Sequence, residues 1–355
     1  MNTADKQPIR SVVIARGAFA DIYEPAWVKA LNDLGVKTTL FDAHRYTLPG
    51  LLGRVERRLL WGPGIRRLQE QLLKQVAEQR PDCLLLYQGH AFPAEMITAL
   101  KKFTFVVGYH NDDPFGSRRR MLRYRHLLPA LPHYHGYHFY RTVNVDEALA
   151  CGVARAALLL PGYIPWLDYP RTLTSEQQKQ WGCDVIFAGH WENDQRSACL
   201  IQVARQQINL RLYGGERYWR PHLPQSVYQQ IGPALHLSTE AYRLALSAAK
   251  IGLCFVSKHN RDLYTRRTFE IPACGLFLLA ERNPWMQEHF QEGKEADFFS
   301  SPDELVEKII FYLHNDSLRL RIAAAGRQRL QADGHDLYSR MRQWLHEVAC
   351  WRAAN

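Results

Sequence analysis

The sequence predicts an α/β protein of two domains, each built on an open parallel β-sheet. Three observations carry this. Short apolar runs bounded by polar or glycine residues recur along the chain, among them Ser11-Val-Val-Ile-Ala15, Cys83-Leu-Leu-Leu-Tyr87, Asp184-Val-Ile-Phe-Ala188 and Ile251-Gly-Leu-Cys-Phe-Val256. Runs that are apolar throughout read as strands buried on both faces. Between them lie stretches with helix punctuation, proline near the start and glycine after the end, so the chain repeats strand-helix-strand units. Lastly, the pattern stops over Asp168–Gly182, a polar stretch with Pro170, and then restarts. The domains expected are 1–165, a linker at 166–182, and 183–334, with a final helix at 335–355. A length of 355 residues is ample for two cores.

Composition narrows the function classes. Hydrophobic residues make up 46% and charged residues 23%, ordinary for a globular protein. No run of eighteen apolar residues exists, so no spanning helix is expected. Met1–Pro8 lacks the apolar region of a signal peptide. The seven cysteines are scattered with no C-x-x-C pair, which points to reduced thiols in the cytoplasm and no zinc site. The net charge of +10 suits nucleic acid, anionic lipid or a phosphorylated substrate. No nucleic-acid motif is present, which sets the first aside.

The first half gives its elements in order. Ser11–Ala15 is the first strand, and Arg16–Glu24 the loop at its carboxyl end. Gly17 and Asp21 are candidate acceptor-binding residues there by position alone; no G-x-G-x-x-G accompanies them. Pro25 opens a helix closed by Gly35, and Lys37–Phe41 is the second strand. Leu51–Arg67 then mixes Leu51, Leu52, Leu59, Leu60 and Trp61 with five arginines, as does Arg118–Arg125 with Met121 and Leu122. Such stretches fit a helix with leucines on the sheet and solvated arginines, or contact with an anionic membrane. Strands ending at His90 and at His110-Asn-Asp-Asp113 place His90, His110, Asp112 and Asp113 at one sheet edge. A general base for a hydroxyl needs a carboxylate or imidazole, so Asp112, Asp113 and then His110 are the catalytic candidates and His90 an acceptor contact. The competing reading is that an aspartate caps the next turn. His133–Tyr140 alternates histidines, which suits aromatic strand packing better than zinc.

In the second half, the strand at Asp184 ends on Gly189, where backbone can approach a phosphate. Arg196 follows, facing that phosphate or paired with Asp194 or Glu192. Leu210–Tyr213 is the next strand. The densest stretch is Arg261–Ala280. Its loop carries Asp262, Arg266 and Arg267, and its helix Glu270. In open α/β sheets ligands bind beyond the carboxyl ends of the strands. A carboxylate there can accept from ribose hydroxyls, and arginines at a helix N-terminus suit phosphate. The same residues also fit a solvated loop with surface ion pairs. Pro272 places the helix start near Thr268 or kinks the helix.

Arg267-Thr-Phe-Glu-Ile-Pro-Ala-Cys-Gly-Leu-Phe-Leu-Leu279 resembles the signature of the CgeB-like glycosyltransferases. More distantly it is similar to the acidic-x7-acidic motif of the large retaining GT-B family, with Glu270 at the second position and Asp262, an Asp for Glu, at the first. Asp112-Asp-Pro114 and the Tyr213-Gly…Trp219 element also resemble CgeB-like chains. The resemblance implies two Rossmann-like domains facing a cleft, the GT-B architecture, with the last helix crossing back to the first domain. It implies a nucleotide-sugar donor bound by Glu270, Asp262, Arg267, Arg266, Arg196, Gly189 and Tyr213, and a glycan, lipid-linked or protein acceptor. No cofactor and no metal are expected, and cell-surface polysaccharide synthesis at the inner face of the membrane is the setting it suggests. A GT-B-shaped binding module without turnover is the rival reading, and a sugar epimerase a further one.

Overall fold

The structure is a computed structural model and describes residues 8–15, 22–116 and 121–355. It divides into two compact units, one of Met1–Leu160 with Leu337–Asn355, the other of Pro161–Asp336. Gly17, Asp21 and Arg118–Arg120 lie outside the described residues.

The first unit holds a six-stranded sheet, all parallel: β1 (Ser11–Ala15), β2 (Lys37–Phe41), β3 (Cys83–Tyr87), β4 (Phe105–His110), β5 (Gly136–Phe139) and β6 (Ala156–Leu158), in the order β2-β1-β3-β4-β5-β6. Every residue of β3, β4 and β5 is buried, which is why these strands read as unbroken apolar runs rather than alternating ones. The strand order reverses between β1 and β3. The helix Leu337–Ala353 belongs to this unit. It is fastened there by His138 Nε2 to Glu347 at 2.8 Å, Arg352 to Asp82 at 2.9 Å and Gln343 to the Leu158 carbonyl at 3.1 Å.

The histidine-rich stretch is packing. Its strand is short, Gly136–Phe139. His135 Nδ1 accepts the Val106 N–H at 2.9 Å and its ring stacks on Phe105, and His138 is engaged by Glu347.

The second unit holds β7 (Cys183–Ala188), β8 (Leu210–Tyr213), β9 (Ala249–Cys254), β10 (Phe277–Glu281) and β11 (Asp297–Phe299), parallel in the order β11-β10-β9-β7-β8. Here the order reverses between β7 and β9, whose register pairs Val185 with Ile251. The core gathers Val185, Phe187, Leu212, Leu253, Phe277 and Leu279 from the strands and Phe255 from just beyond β9, with Trp219 and Ile309 from the flanking helices. Residues 166–182 are more than a tether: they belong to this unit, carry the helix Ser175–Trp181 capped by Thr174, and bury Asp168.

Candidate functional site

The reversal between β7 and β9 defines the site of the second unit, because the connections leaving the two strands diverge there and expose the ends of the sheet. The connection after β9 leads into the helix Arg266–Ala273. This helix starts at Arg266, two residues ahead of Thr268, and Pro272 sits next to its last residue instead of kinking it. Its entry is pinned by the Thr265 N–H, which donates to Thr268 Oγ1 at 3.1 Å. Gly275, with φ +78°, ends the turn that follows.

Arg267 occupies the first turn of that helix and is half-buried. Its guanidinium lies 6.0 Å from the Phe187 ring centroid. Among the described residues no carboxylate pairs with it, and its buried Nε has no hydrogen-bond partner. A desolvated cation left this way is costly unless an anion completes it. It stands beside the carboxyl end of β7: a Cβ on Gly189 would come within 3.4 Å of its guanidinium carbon. His190, next in the chain, is held through Nδ1 to the Gly214 carbonyl at 2.9 Å. Burial, then the charges of Arg267, His236 and Arg196, push its pKa down.

Two expected phosphate contacts prove to be committed elsewhere. The Gly189 N–H donates to the Tyr213 carbonyl at 3.0 Å, and the Gly189 carbonyl accepts Trp219 Nε1 at 2.8 Å. Glycine at 189 serves close packing, since a side chain would meet Phe187 at 2.8 Å. Arg196 is buried, with Nε and Nη2 on the Asp194 carboxylate at 2.8 and 2.7 Å, Nη1 on the His190 carbonyl at 2.6 Å and Nη2 on the Val256 carbonyl at 3.2 Å. It clamps the connection after β7 to the end of β9. Tyr213 is buried at the end of β8, so it supports the site from within.

Glu270 is buried on the same helix as Arg267. Its Oε2 accepts the Tyr242 hydroxyl at 3.0 Å, and Arg243 Nη2 lies 3.7 Å from Oε1. Arg243 also donates to Asp168 at 2.7 Å. One buried guanidinium thus serves two carboxylates. Burial, and then the Glu270 charge, push Asp168 up to about 6. Asp262 is half-buried in the connection after β9, its N–H on the Ser257 carbonyl at 2.9 Å. Arg266 opens the helix beside it.

Sequence reasoning passed over Glu281, Tyr242, Arg243 and Asp168. Glu281 closes β10, buried, and takes Lys258 Nζ at 2.6 Å, Gln195 Nε2 at 3.0 Å and the Val256 N–H at 3.3 Å. A carboxylate ending an apolar strand was the available signal.

At the carboxyl edge of the first unit, the four expected residues part company. Asp113 Oδ1 accepts the N–H groups of Phe115 and Gly116 at 3.1 and 2.9 Å and Asn144 Nδ2 at 2.8 Å; it is a turn cap, not an open base. His90 and His110 are buried edge to face, ring centroids 5.0 Å apart. Burial lowers both pKa values, that of His110 to about 4, so both rings are neutral near pH 7 and neither opens to solvent. Asp112 alone keeps a half-buried carboxylate, 3.3 Å from Arg123.

Residues 196–346 match the family model described as glycosyl transferase-like. No curated protein matches the chain. Among solved structures, sucrose-phosphate synthase from Thermosynechococcus elongatus is similar with a TM-score of 0.67 and 14% identity over 98% of this chain and 100% of that one. A glycosyltransferase from Rickettsia africae gives 0.65 and 11% over 97% and 98%. The Anabaena protein HepE, solved in complex with UDP and glucose, gives 0.64 and 11% over 96% and 99%. Residues 196–346 thus carry a glycosyl transferase-like domain, and the chain has the two-domain, parallel-sheet fold of the GT-B glycosyltransferases.

Proposed function

We propose that the chain moves a sugar from a nucleotide-diphosphate sugar to a hydroxyl of a glycan, lipid-linked glycan or protein, as a CgeB-like enzyme. The observation that carries this is Arg267, a half-buried guanidinium with no partner among the described residues, at the strand-order reversal of the second unit. In this reading Arg267, with the first-turn N–H groups of its helix and Arg266, holds the diphosphate. Glu270, its carboxylate set by Tyr242 and Arg243, takes the ribose hydroxyls, and Asp262 lies toward the sugar. HepE, a neighbour in fold, was solved with UDP and glucose, which is in keeping with such a donor.

The acceptor oxygen attacks the anomeric carbon, and the bond from that carbon to the diphosphate breaks with its electron pair leaving on the phosphate. Arg267 offsets the charge that develops there, and no metal enters the reading. The acceptor proton passes to a protein base if the transfer inverts, or to the departing phosphate if it retains; the anomeric configuration of the product separates the two.

The test is a thermal-shift panel of UDP, GDP, ADP, CDP and dTDP on the wild type and on Glu270→Ala. A diphosphate at about a hundred times its dissociation constant adds roughly 2.7 kcal/mol. Stabilisation by one diphosphate, lost in the variant, is expected. A folded protein that none of them stabilises would overturn the donor assignment, and donor binding without turnover on any acceptor would favour a binding module.

A further inference from the structure

We propose that the first unit docks on an anionic membrane surface through the helix Gly50–Leu59, the adjoining Trp61 and the neighbouring pair Met121 and Leu122. The helix is mounted with its apolar side outward. Leu51 and Leu52 are each 70% exposed, Val55 and Leu59 are exposed on the same side, and Trp61 is 61% exposed. Positions 51, 55 and 59 form one stripe at helical spacing. The side toward the protein carries instead Gly53 and the only acidic residue between 48 and 67, Glu56, which is buried and accepts the Gly64 N–H at 3.1 Å. An ordinary surface helix would place these the other way round.

The mounting is fixed by close approach. A Cβ on Gly53 would fall 1.6 Å from the Leu48 carbonyl oxygen, and side chains on Gly62 and Gly64 would meet the Glu56 carboxylate at 2.2 and 2.4 Å. No leucine can therefore take the inward position at 53. The turn Leu122–Tyr124 packs against this helix, and Arg125 Nη2 holds the Leu60 carbonyl at 3.2 Å. That brings exposed Met121 and Leu122 to the same patch.

Charge selects the occupant. Arg54, Arg58, Arg66, Arg67 and Arg125 are exposed around the apolar stripe, and Arg66 lies 5.8 Å from the Trp61 ring centroid. A second copy of this chain seated on the patch about a twofold axis would set these arginines against one another. A bilayer with anionic headgroups takes the leucines and tryptophan into its interface while the arginines reach phosphate. The turn that carries Leu122 also carries Arg123, paired with Asp112, and Tyr124, 5.7 Å from His110. If the sugar-transfer reading holds, its acceptor is accordingly a hydroxyl carried in the lipid surface. The docking itself does not depend on that reading.

The experiment is co-sedimentation of the full chain with phosphatidylcholine vesicles, with and without phosphatidylglycerol. Wild type is expected on the phosphatidylglycerol vesicles alone, with binding that weakens as salt rises. Replacing Arg54→Gln and Arg58→Gln together should lower the partition about twenty-five-fold, roughly fivefold per charge. Replacing Leu51→Ser and Leu52→Ser together should lower it at least about tenfold. Both variants should melt as wild type does, because the altered side chains are exposed. Absence of binding to phosphatidylglycerol vesicles overturns the proposal. So does binding that the leucine variant leaves intact, or a wild-type dimer that this variant dissociates with no vesicle binding.

Discussion

The guanidinium carbon of Arg267 lies 3.4 Å from the point a Cβ on Gly189 would occupy, so the absent side chain at 189 leaves room for the cation beside the end of β7. The same guanidinium has no partner among the described residues for its buried Nε. A residue kept for stability would not be left this way, whereas one kept for an anionic ligand would.

This separates two effects that usually fall together. Arg267→Met should leave the ligand-free protein as stable as wild type or up to about 1 kcal/mol more stable, because it removes an uncompensated charge while keeping much of the volume. It should also abolish the stabilisation by a nucleoside diphosphate that the proposed function calls for. A loss of stability in the ligand-free variant, measured by urea unfolding, would show that the arginine is structural.

Arg196 should behave in the opposite way. Its guanidinium is saturated by Asp194 and the His190 and Val256 carbonyls, and removing it strands a carboxylate only 8% exposed. Arg196→Met should cost about 3–5 kcal/mol with or without ligand. Arg196→Lys should recover little, since an ammonium cannot hold the forked arrangement. Adding Asp194→Asn to the methionine variant should restore part of the loss, which a double-mutant cycle on unfolding free energies would read.

Asp168 and His110 should respond to acid with opposite sign. Asp168 is raised to about 6 by burial and by Glu270, against the ordinary 3.8. The folded state therefore holds this proton more tightly than the unfolded chain. The stability it contributes is complete below pH 3.8 and is lost as pH rises through about 6. His110 is lowered to about 4 by burial, against 6.5, so its contribution is complete above pH 6.5 and is lost as pH falls through about 4. As pH falls from 6 to 4, hydrogen exchange around Asp168 should show the protection that its proton adds, and exchange around His110 the protection that its protonation removes. Asp168→Asn should flatten the trend in the second unit, and His110→Gln should reduce it in the first. Trends that survive both substitutions would place the titrating groups elsewhere.

The strands were legible because burial on both faces leaves an unbroken apolar run, as Cys83–Tyr87 shows. The connection after β9 was legible because charge gathers there without a folding reason, and Arg267 with Glu270 lies in it. Arg196 and Asp113 carry the right chemistry at the right edge, yet both are consumed by neighbours. Asp113 is spent on turn N–H groups two and three residues ahead, and Arg196 on a carbonyl sixty residues away. Side-chain type and position are local properties. Whether a donor or acceptor is already satisfied depends on atoms that the fold brings from elsewhere.

The helix Gly50–Leu59 marks the same boundary. Its sequence determines an apolar stripe among arginines, but not which side faces the protein; that was decided by Gly53 pressed on the Leu48 carbonyl and by Glu56 turned inward. By itself the sequence determined the α/β class, the two sheets and the stretch that carries Arg267 and Glu270, because these follow from periodicity and local charge. Only the tertiary structure decided the strand orders, the Glu270–Arg243–Asp168 network and the lack of a partner for Arg267 Nε among the described residues. Those depend on which distant residues share a desolvated space, and periodicity does not encode that.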